Sequence, residues 1–217
     1  MMDKKKIAVI VAHPDDETLW AGGTLLSHPD WEPFILSLCR KNDPDRAPKF
    51  QKAIRFLNAQ GVMADLDDGP MQSPQNLNQL SDLVLKTLPA HTYDIIITHS
   101  PLGEYTRHLR HEEIGKTIIH LWLENKLRCD ELLIFAYEDG NRMYCPKAQK
   151  QADLYFNLPN KLWQQKENIL IDIYGFQRDS WEVKCCPKAE AFWIFSTKDA
   201  AIDWLKSNIN HESTGII

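Results

Sequence analysis

Histidine and aspartate side chains directly follow an apolar run near the start of the sequence. The segment IAVIVAHPDDE carries His13, Asp15 and Asp16 after six apolar residues. His13 and Asp16 are three residues apart across a predicted turn, so both side chains can face one ion, and imidazole and carboxylate groups are ligands of Zn²⁺. Asp15, next to a ligand but not needed as one, is placed to accept the proton of a water molecule. This spacing predicts metal-assisted hydrolysis.

Further histidines follow a second apolar run, DIIIT, in the segment HSPLGEYTRHLRHEEIG (residues 99–115). If both runs are strands of one parallel sheet, the loops at their carboxyl ends lie at the same edge. We therefore expect His111 to join His13 and Asp16 as the third metal ligand. Such a mixed nitrogen and oxygen set leaves coordination for water, which is typical of a catalytic zinc site.

Two more histidines of the second segment have predicted roles. His108 lies one turn before the predicted ligand and can stabilise the oxyanion of a tetrahedral intermediate or protonate a leaving amine. His99 either orients a metal ligand or is an ordinary hydrogen-bonded residue at a strand end, and the sequence leaves both interpretations open. Glu138 and Asp139, after the apolar run ELLIFAY, also belong to the expected edge.

The plainer interpretation of the first segment is helix capping. Asp15 or Asp16 would then accept hydrogen bonds from the free N–H groups of a helix N-terminus. Capping needs neither the histidine nor two adjacent carboxylates, and it does not account for the second histidine segment. Metal binding explains both segments together.

The elements that must position these residues alternate between apolar runs and helical patterns. Predicted strands are KIAVIVA, FILSLC, VMADLDDG, DIIITHS and ELLIFAY, and predicted helices are ETLWAGGTLLSH, APKFQKAIRFLNAQ, NLNQLSDLVLKTL and HEEIGKTIIHLWLENK. Strands rich in Ile and Val that alternate with helices are typical of a parallel sheet covered on both faces. The predicted fold is therefore a Rossmann-like α/β three-layer sandwich with a mainly parallel sheet.

The length of 217 residues predicts one domain over residues 1–217. Residues 1–140 would form the core with the metal site, and residues 141–217 an irregular C-terminal part. In that part, QQKENILIDI and KDAAIDWLKSN have helical patterns, and VKCCPKAEAFWIFS contains strand-like pieces. Its many aromatic residues either cover the edge of the site or serve only in packing.

Composition narrows the possible partners and the compartment. The net charge of −5 gives no basic surface for nucleic acid or an anionic membrane. The apolar run after MMDKKK is too short for a secretion signal, so we interpret it as a strand, and no apolar stretch is long enough to span a bilayer. The five cysteines form no CxxC pair or regular disulfide framework, which predicts a reducing cytoplasm: Cys39, Cys129, Cys145, Cys185 and Cys186.

Two motifs resemble the LmbE-like, or PIG-L, family of zinc-dependent sugar N-deacetylases. AHPDDETLWAGGT (residues 12–24) is similar to the family's AHPDDE followed by Gly-Gly-Thr, and GEYTRHLRH (residues 103–111) resembles its GEYGHPDH region. The resemblance implies the same ligands, base and oxyanion-stabilising histidine that the spacing predicts. It adds two substrate-binding residues, Arg46 in DPDRAPKF and Asp68 in LDDGP, whose plainer interpretation is solvated loop charge.

The resemblance implies that Zn²⁺, or another divalent metal, supports removal of an N-acetyl group from an N-acetylglucosaminyl-type substrate. The expected partner is thus a small N-acetylated sugar conjugate, with a homo-oligomer left open. The sequence departs from the family where Leu109 and Arg110 replace Pro-Asp, and where Tyr174 replaces a histidine. Because Arg110 would favour an anionic substrate, the alternatives are an amidase or esterase acting on a non-sugar substrate and a metal-binding module without turnover.

Overall fold

The structure is a computed structural model that describes residues 4–69 and 71–209. Its strands are β1 (Lys5–Val11), β2 (Trp31–Cys39), β3 (Gln60–Leu66), β4 (Thr92–Thr98), β5 (Arg128–Phe135), β6 (Tyr137–Glu138), β7 (Lys147–Ala148), β8 (Leu154–Asn157) and β9 (Ala189–Phe195). Its helices are α1 (Asp16–Ser27), α2 (Arg46–Phe56), α3 (Leu77–Thr87), α4 (Leu109–Leu123), α5 (Asn160–Asn168), α6 (Trp181–Lys184) and α7 (Lys198–Asn208).

Seven strands form one sheet in the order β3-β2-β1-β4-β5-β9-β8. The first five are parallel, whereas β9 and β8 pair antiparallel at one edge. This arrangement confirms the predicted α/β fold with a mainly parallel sheet. The strand order reverses between β1 and β4, and ligands of such sheets bind outside the carboxyl ends of the strands at that point. Both histidine segments begin there, because one follows β1 and the other follows β4.

The central strands are buried on both faces. Alternate residues of β1 and its continuation enter two separate hydrophobic clusters, with Ile7, Val9 and Val11 in one and Ala8, Ile10 and Ala12 in the other. Because side chains of a strand point alternately to the two faces, an almost uninterrupted apolar run is required here. The polar residues begin only where the strand emerges from the two layers of helices.

The C-terminal part differs from prediction in one element. Residues 181–184 form the short helix α6, although the segment that begins at Val183 was predicted to contain strand-like pieces. The Ser180 side chain accepts a hydrogen bond from the Val183 N–H, and this cap begins the helix. The predicted helix QQKENILIDI is present as the end of α5, continued by a π-helical segment, Ile169–Ile173.

The cysteine prediction was wrong for one pair. Cys145 and Cys185 form a disulfide across 40 residues of sequence, with their Cα atoms 5.1 Å apart. The sequence could not reveal it, because only the tertiary path brings β7 and α6 together. The predicted cytoplasmic location loses this support and stays a prediction. Among the described residues, every helix is too short or too polar to cross a bilayer.

Candidate metal and catalytic site

Three ligand atoms from the two predicted segments meet at the carboxyl edge of the sheet. Asp16 Oδ2 lies 3.1 Å from His13 Nδ1 and 3.3 Å from His111 Nε2, and the two nitrogens are 3.2 Å apart. Tetrahedral Zn²⁺ with ligands at about 2.0–2.1 Å holds its donor atoms about 3.3 Å from one another. The three atoms therefore form a triangle of the size that one zinc ion requires.

Hydrogen bonds orient both imidazole rings of this triangle. His13 Nε2 lies 3.0 Å from Asp68 Oδ1, and His111 Nδ1 lies 2.6 Å from Glu104 Oε2. With those nitrogens donating to carboxylates, the other ring nitrogens face Asp16 as acceptors. Burial opposes a charge on His13, but hydrogen bonds to Asp16 and Asp68 outweigh it and raise the pKa of His13 well above its usual value. The triangle thus attracts positive charge.

Glu104 is a functional candidate that the sequence analysis missed. It is completely buried, and its Oε2 atom accepts from His111 Nδ1 and from His99 Nδ1, 2.9 Å away. Ala12 N–H donates to His99 Nε2, which fixes the tautomer of that ring. Burial alone would raise the pKa of Glu104, but the two histidines lower it to about 2. An acid amid three histidines in one loop was the available signal.

Asp15 adopts a constrained backbone next to the triangle. Its φ angle is 123°, and its N–H donates to Glu17 Oε2 at 3.0 Å. Its side chain makes no capping hydrogen bond, contrary to the plainer interpretation, and instead accepts from Arg46 Nη1 at 3.0 Å. Burial and the charge of Asp16 raise the pKa of Asp15 well above its usual value, against the effect of Arg46. Such a carboxylate is suited to accept a proton.

Glu17 connects this backbone to the C-terminal part of the chain. The buried Glu17 carboxylate accepts from the hydroxyl of Tyr174 at 2.8 Å as well as from the Asp15 N–H. Tyr174, which replaces a histidine of the family pattern, therefore supports the position of Asp15 from behind.

His108 lies beside the triangle, as predicted. Its ring centroid is 4.7 Å from that of His13 and 4.2 Å from that of His111. Burial, together with the neighbouring imidazoles, lowers the pKa of His108 to about 3. Its Nδ1 atom is buried and has no hydrogen-bond partner among the described residues. Tyr105, whose place the sequence left uncertain, packs edge-on against this ring at 5.6 Å.

The structure gives Asp68 and Arg110 contacts that their sequence positions did not indicate. Both oxygens of Asp68 are engaged, one with His13 and the other with Arg40 at 2.7 Å. Arg110 is completely buried and donates to the backbone carbonyls of Asp67 and Ser73 and to Glu113. The expectation that Arg110 favours an anionic substrate is therefore wrong, because its guanidinium is consumed in holding the loop that carries Asp68.

A cavity of about 340 Å³ lies above the triangle. It is lined by the predicted residues His13, Asp15, Asp16, Arg46, Asp68 and His108. Arg40, Trp181 and Glu182 complete the wall, and the sequence contained no local signal for them. The C-terminal part thus reaches the site through α6, while other aromatic residues of that part, such as Phe192, are buried in the core.

The fold and this arrangement define an α/β protein with a histidine and aspartate centre at the switch point of its sheet. The model of the PIG-L family, described as GlcNAc-PI de-N-acetylase, matches residues 8–122, more than half of the chain. The chain belongs to the PIG-L family, as the two motifs predicted.

Individual relatives are distant. The chain is 27% identical over 124 residues to the uncharacterized protein L374 of Acanthamoeba polyphaga mimivirus, a match that covers 51% of this chain and about half (55%) of that protein. N,N′-diacetylchitobiose deacetylase from Pyrococcus horikoshii has the same fold, with 15% identity, coverage of 89% of this chain and 85% of that one, and a TM-score of 0.61. The conserved protein TT1542 from Thermus thermophilus gives 18%, 89%, 94% and 0.61, respectively.

Proposed function

We propose that the protein is a metal-dependent N-deacetylase that removes the acetyl group from an N-acetylglucosaminyl-type small molecule. The observation that carries the proposal is the triangle of His13, Asp16 and His111, with Asp15 and His108 lining the same cavity. Family membership supports a deacetylase-type hydrolase. The names of the structural relatives, which include a diacetylchitobiose deacetylase and a teicoplanin deacetylase, agree with that class.

His13, Asp16 and His111 would hold Zn²⁺ or another divalent ion. Bound there, the ion supplies a Lewis acid and lowers the pKa of water to about 7. Asp15 accepts the proton of the water molecule as its oxygen attacks the acetyl carbon. Arg46, paired with Asp15, keeps that carboxylate aimed at the cavity.

His108 and Asp15 complete the reaction. The His108 ring faces the developing oxyanion, where a donated N–H stabilises negative charge most strongly because the site is shielded from water. When the C–N bond breaks, the proton held by Asp15 passes to the leaving amine, and acetate and a free amino sugar are released. We assign sugar hydroxyls to Arg40, Arg46 and Asp68, which border the cavity.

The test is acetate release from methyl N-acetyl-β-glucosaminide by the zinc-loaded protein. We expect turnover in the wild type, and a fall in kcat of about 10²–10⁴-fold in Asp15→Asn with zinc content retained. Asp30→Asn, an exposed aspartate at the opposite edge of the sheet, serves as the matched control with unchanged turnover. Normal turnover in Asp15→Asn would exclude the assigned base.

A substrate panel separates this function from the two rivals. Acyl amino acids and simple esters test an amidase or esterase on non-sugar substrates. Stoichiometric zinc with no hydrolysis of any panel member would instead favour a binding module. We expect hydrolysis of the N-acetylglucosaminide alone among these compounds.

A further inference from the structure

A second cavity adjoins the proposed catalytic cavity, and we propose that it binds a second, neutral sugar ring linked to the N-acetylated one. This inference rests on the proposed function and narrows its substrate class to conjugates with at least two rings. The second cavity has a volume of about 620 Å³ and shares Tyr105, Trp181 and Glu182 with the first. Both volumes lie within the range of about 300–1,000 Å³ typical of small-molecule sites.

Aromatic rings line the boundary and the far wall of the second cavity. Trp181 is 42% exposed and Tyr144 is 38% exposed, although side chains of this size are usually covered in a folded domain. Tyr105 packs against Trp181 with ring centroids 4.8 Å apart and so fixes the indole from one side. Exposed, fixed aromatic rings provide flat apolar faces of the kind on which the C–H face of a pyranose packs.

The polar residues of the second cavity favour a neutral polyol. Its charged side chains are Asp139, Arg142 and Glu182, which give a net charge of −1. Arg142 uses Nε to hold the Thr106 carbonyl, and its terminal nitrogens make no hydrogen bond to any residue in 4–69 or 71–209. Carboxylates accept from hydroxyl groups and the guanidinium donates to them, so sugar hydroxyls satisfy both. A phosphate group would meet two carboxylates and is disfavoured.

The two walls are connected to each other. Tyr144 precedes Cys145, and α6, which begins at Trp181, ends beside Cys185, so the disulfide links the segments that carry both rings. Gly140, with φ of 58°, lets the Tyr144 ring lie against the turn, because a Cβ at this position would overlap the ring. The second cavity is therefore bordered by fixed residues.

The experiment compares acetate release by the zinc-loaded full chain from three substrates. These are methyl N-acetyl-β-glucosaminide, N,N′-diacetylchitobiose, and N-acetylglucosaminyl inositol phosphate. We expect kcat/KM for the disaccharide to exceed that for the one-ring substrate by about tenfold, mainly through KM. Trp181→Ala and Tyr144→Ala should reduce this ratio to near one, whereas Phe56→Ala, an exposed aromatic residue on α2, should leave it unchanged.

The outcomes separate this inference from the function on which it rests. A wild-type ratio near one, a ratio unaffected by both variants, or preference for the phosphate-containing substrate would overturn the second-ring site while leaving deacetylation intact. Absence of acetate release from all three would overturn the deacetylase itself.

A binding measurement keeps the inference testable without turnover. Titration of tryptophan fluorescence with each sugar on the Asp15→Asn protein should show about tenfold tighter binding of the disaccharide. Arg142→Gln provides a second variant if Tyr144→Ala does not fold, and it should weaken disaccharide binding. Equal affinities for one-ring and two-ring sugars would contradict the proposal.

Discussion

The Arg110 guanidinium donates from Nε to the backbone carbonyl of Asp67 at 2.7 Å, which ties helix α4 to the loop that borders the cavity. The same side chain contacts the Ser73 carbonyl and Glu113, so a fully buried cation has a partner at each of its three nitrogens. The next residue, His111, belongs to the proposed metal triangle. Arg110 thus joins the position of one ligand to that of the loop residue Asp68.

Replacement of Arg110 should be costly. We expect Arg110→Met to lower the free energy of unfolding by about 3 kcal/mol, because Glu113 and two carbonyls lose a buried partner. Arg107→Ala is the matched control, since that side chain is 77% exposed and its pair with Glu112 contributes about 0.5 kcal/mol at most. Urea unfolding monitored by circular dichroism measures both. Equal stability of the two variants would contradict the clamp.

Much of the site could be predicted from the sequence, because strand ends fix where its loops meet. Once β1 and β4 are parallel neighbours, His13 and His111 must approach the same edge, and their local spacing leaves few other arrangements. The fold followed from the same alternation of apolar strands and helices.

What could not be predicted depends on the tertiary path of the chain. Glu104 is a ligand-orienting residue only because His99 folds onto the same oxygen, and Arg40 reaches Asp68 across 28 residues. Trp181 enters through a short helix far along the sequence, and the disulfide spans 40 residues. Residue type and spacing carry no record of such pairings.

Glu104 should control metal affinity without touching the metal. In Glu104→Gln the amide offers a weaker acceptor to two imidazole N–H groups, so we expect zinc affinity to fall about 10–100-fold. Competition with a chromophoric chelator measures it. Glu124→Gln, just beyond the far end of α4, should retain wild-type affinity. An unchanged zinc affinity in Glu104→Gln would refute this role.

Tyr174 should affect turnover through the backbone of Asp15. Tyr174→Phe removes the hydroxyl that donates to Glu17, which we expect to cost about 1 kcal/mol of stability and to lower kcat while zinc content stays constant. Tyr155→Phe, whose hydroxyl makes an exposed contact at 3.4 Å, is the control. Acetate release and thermal unfolding are measured on the same preparations. A kcat equal to that of the control would separate Tyr174 from the site.

Gly115 permits close contact between α4 and the loop that begins at His99. A Cβ at this position would lie 2.6 Å from the His99 carbonyl oxygen and 2.7 Å from the Pro101 nitrogen, both rigid backbone atoms. We expect Gly115→Ala to destabilise the fold by about 1–3 kcal/mol. Gly22→Ala, where the nearest atom is 3.3 Å away on the flexible Lys166 stem, should be near neutral. Denaturant unfolding distinguishes the two, and equal stability would contradict the close contact.

The most direct measurement is the zinc stoichiometry of the wild type, His13→Ala, His111→Ala and His91→Ala after equilibrium dialysis against zinc. His91 is exposed and lies just before β4, at the other end of that strand from the site. We expect one tightly bound ion per chain in the wild type and in His91→Ala, and none in the other two. Full zinc content in both His13→Ala and His111→Ala would show that these side chains do not share an ion.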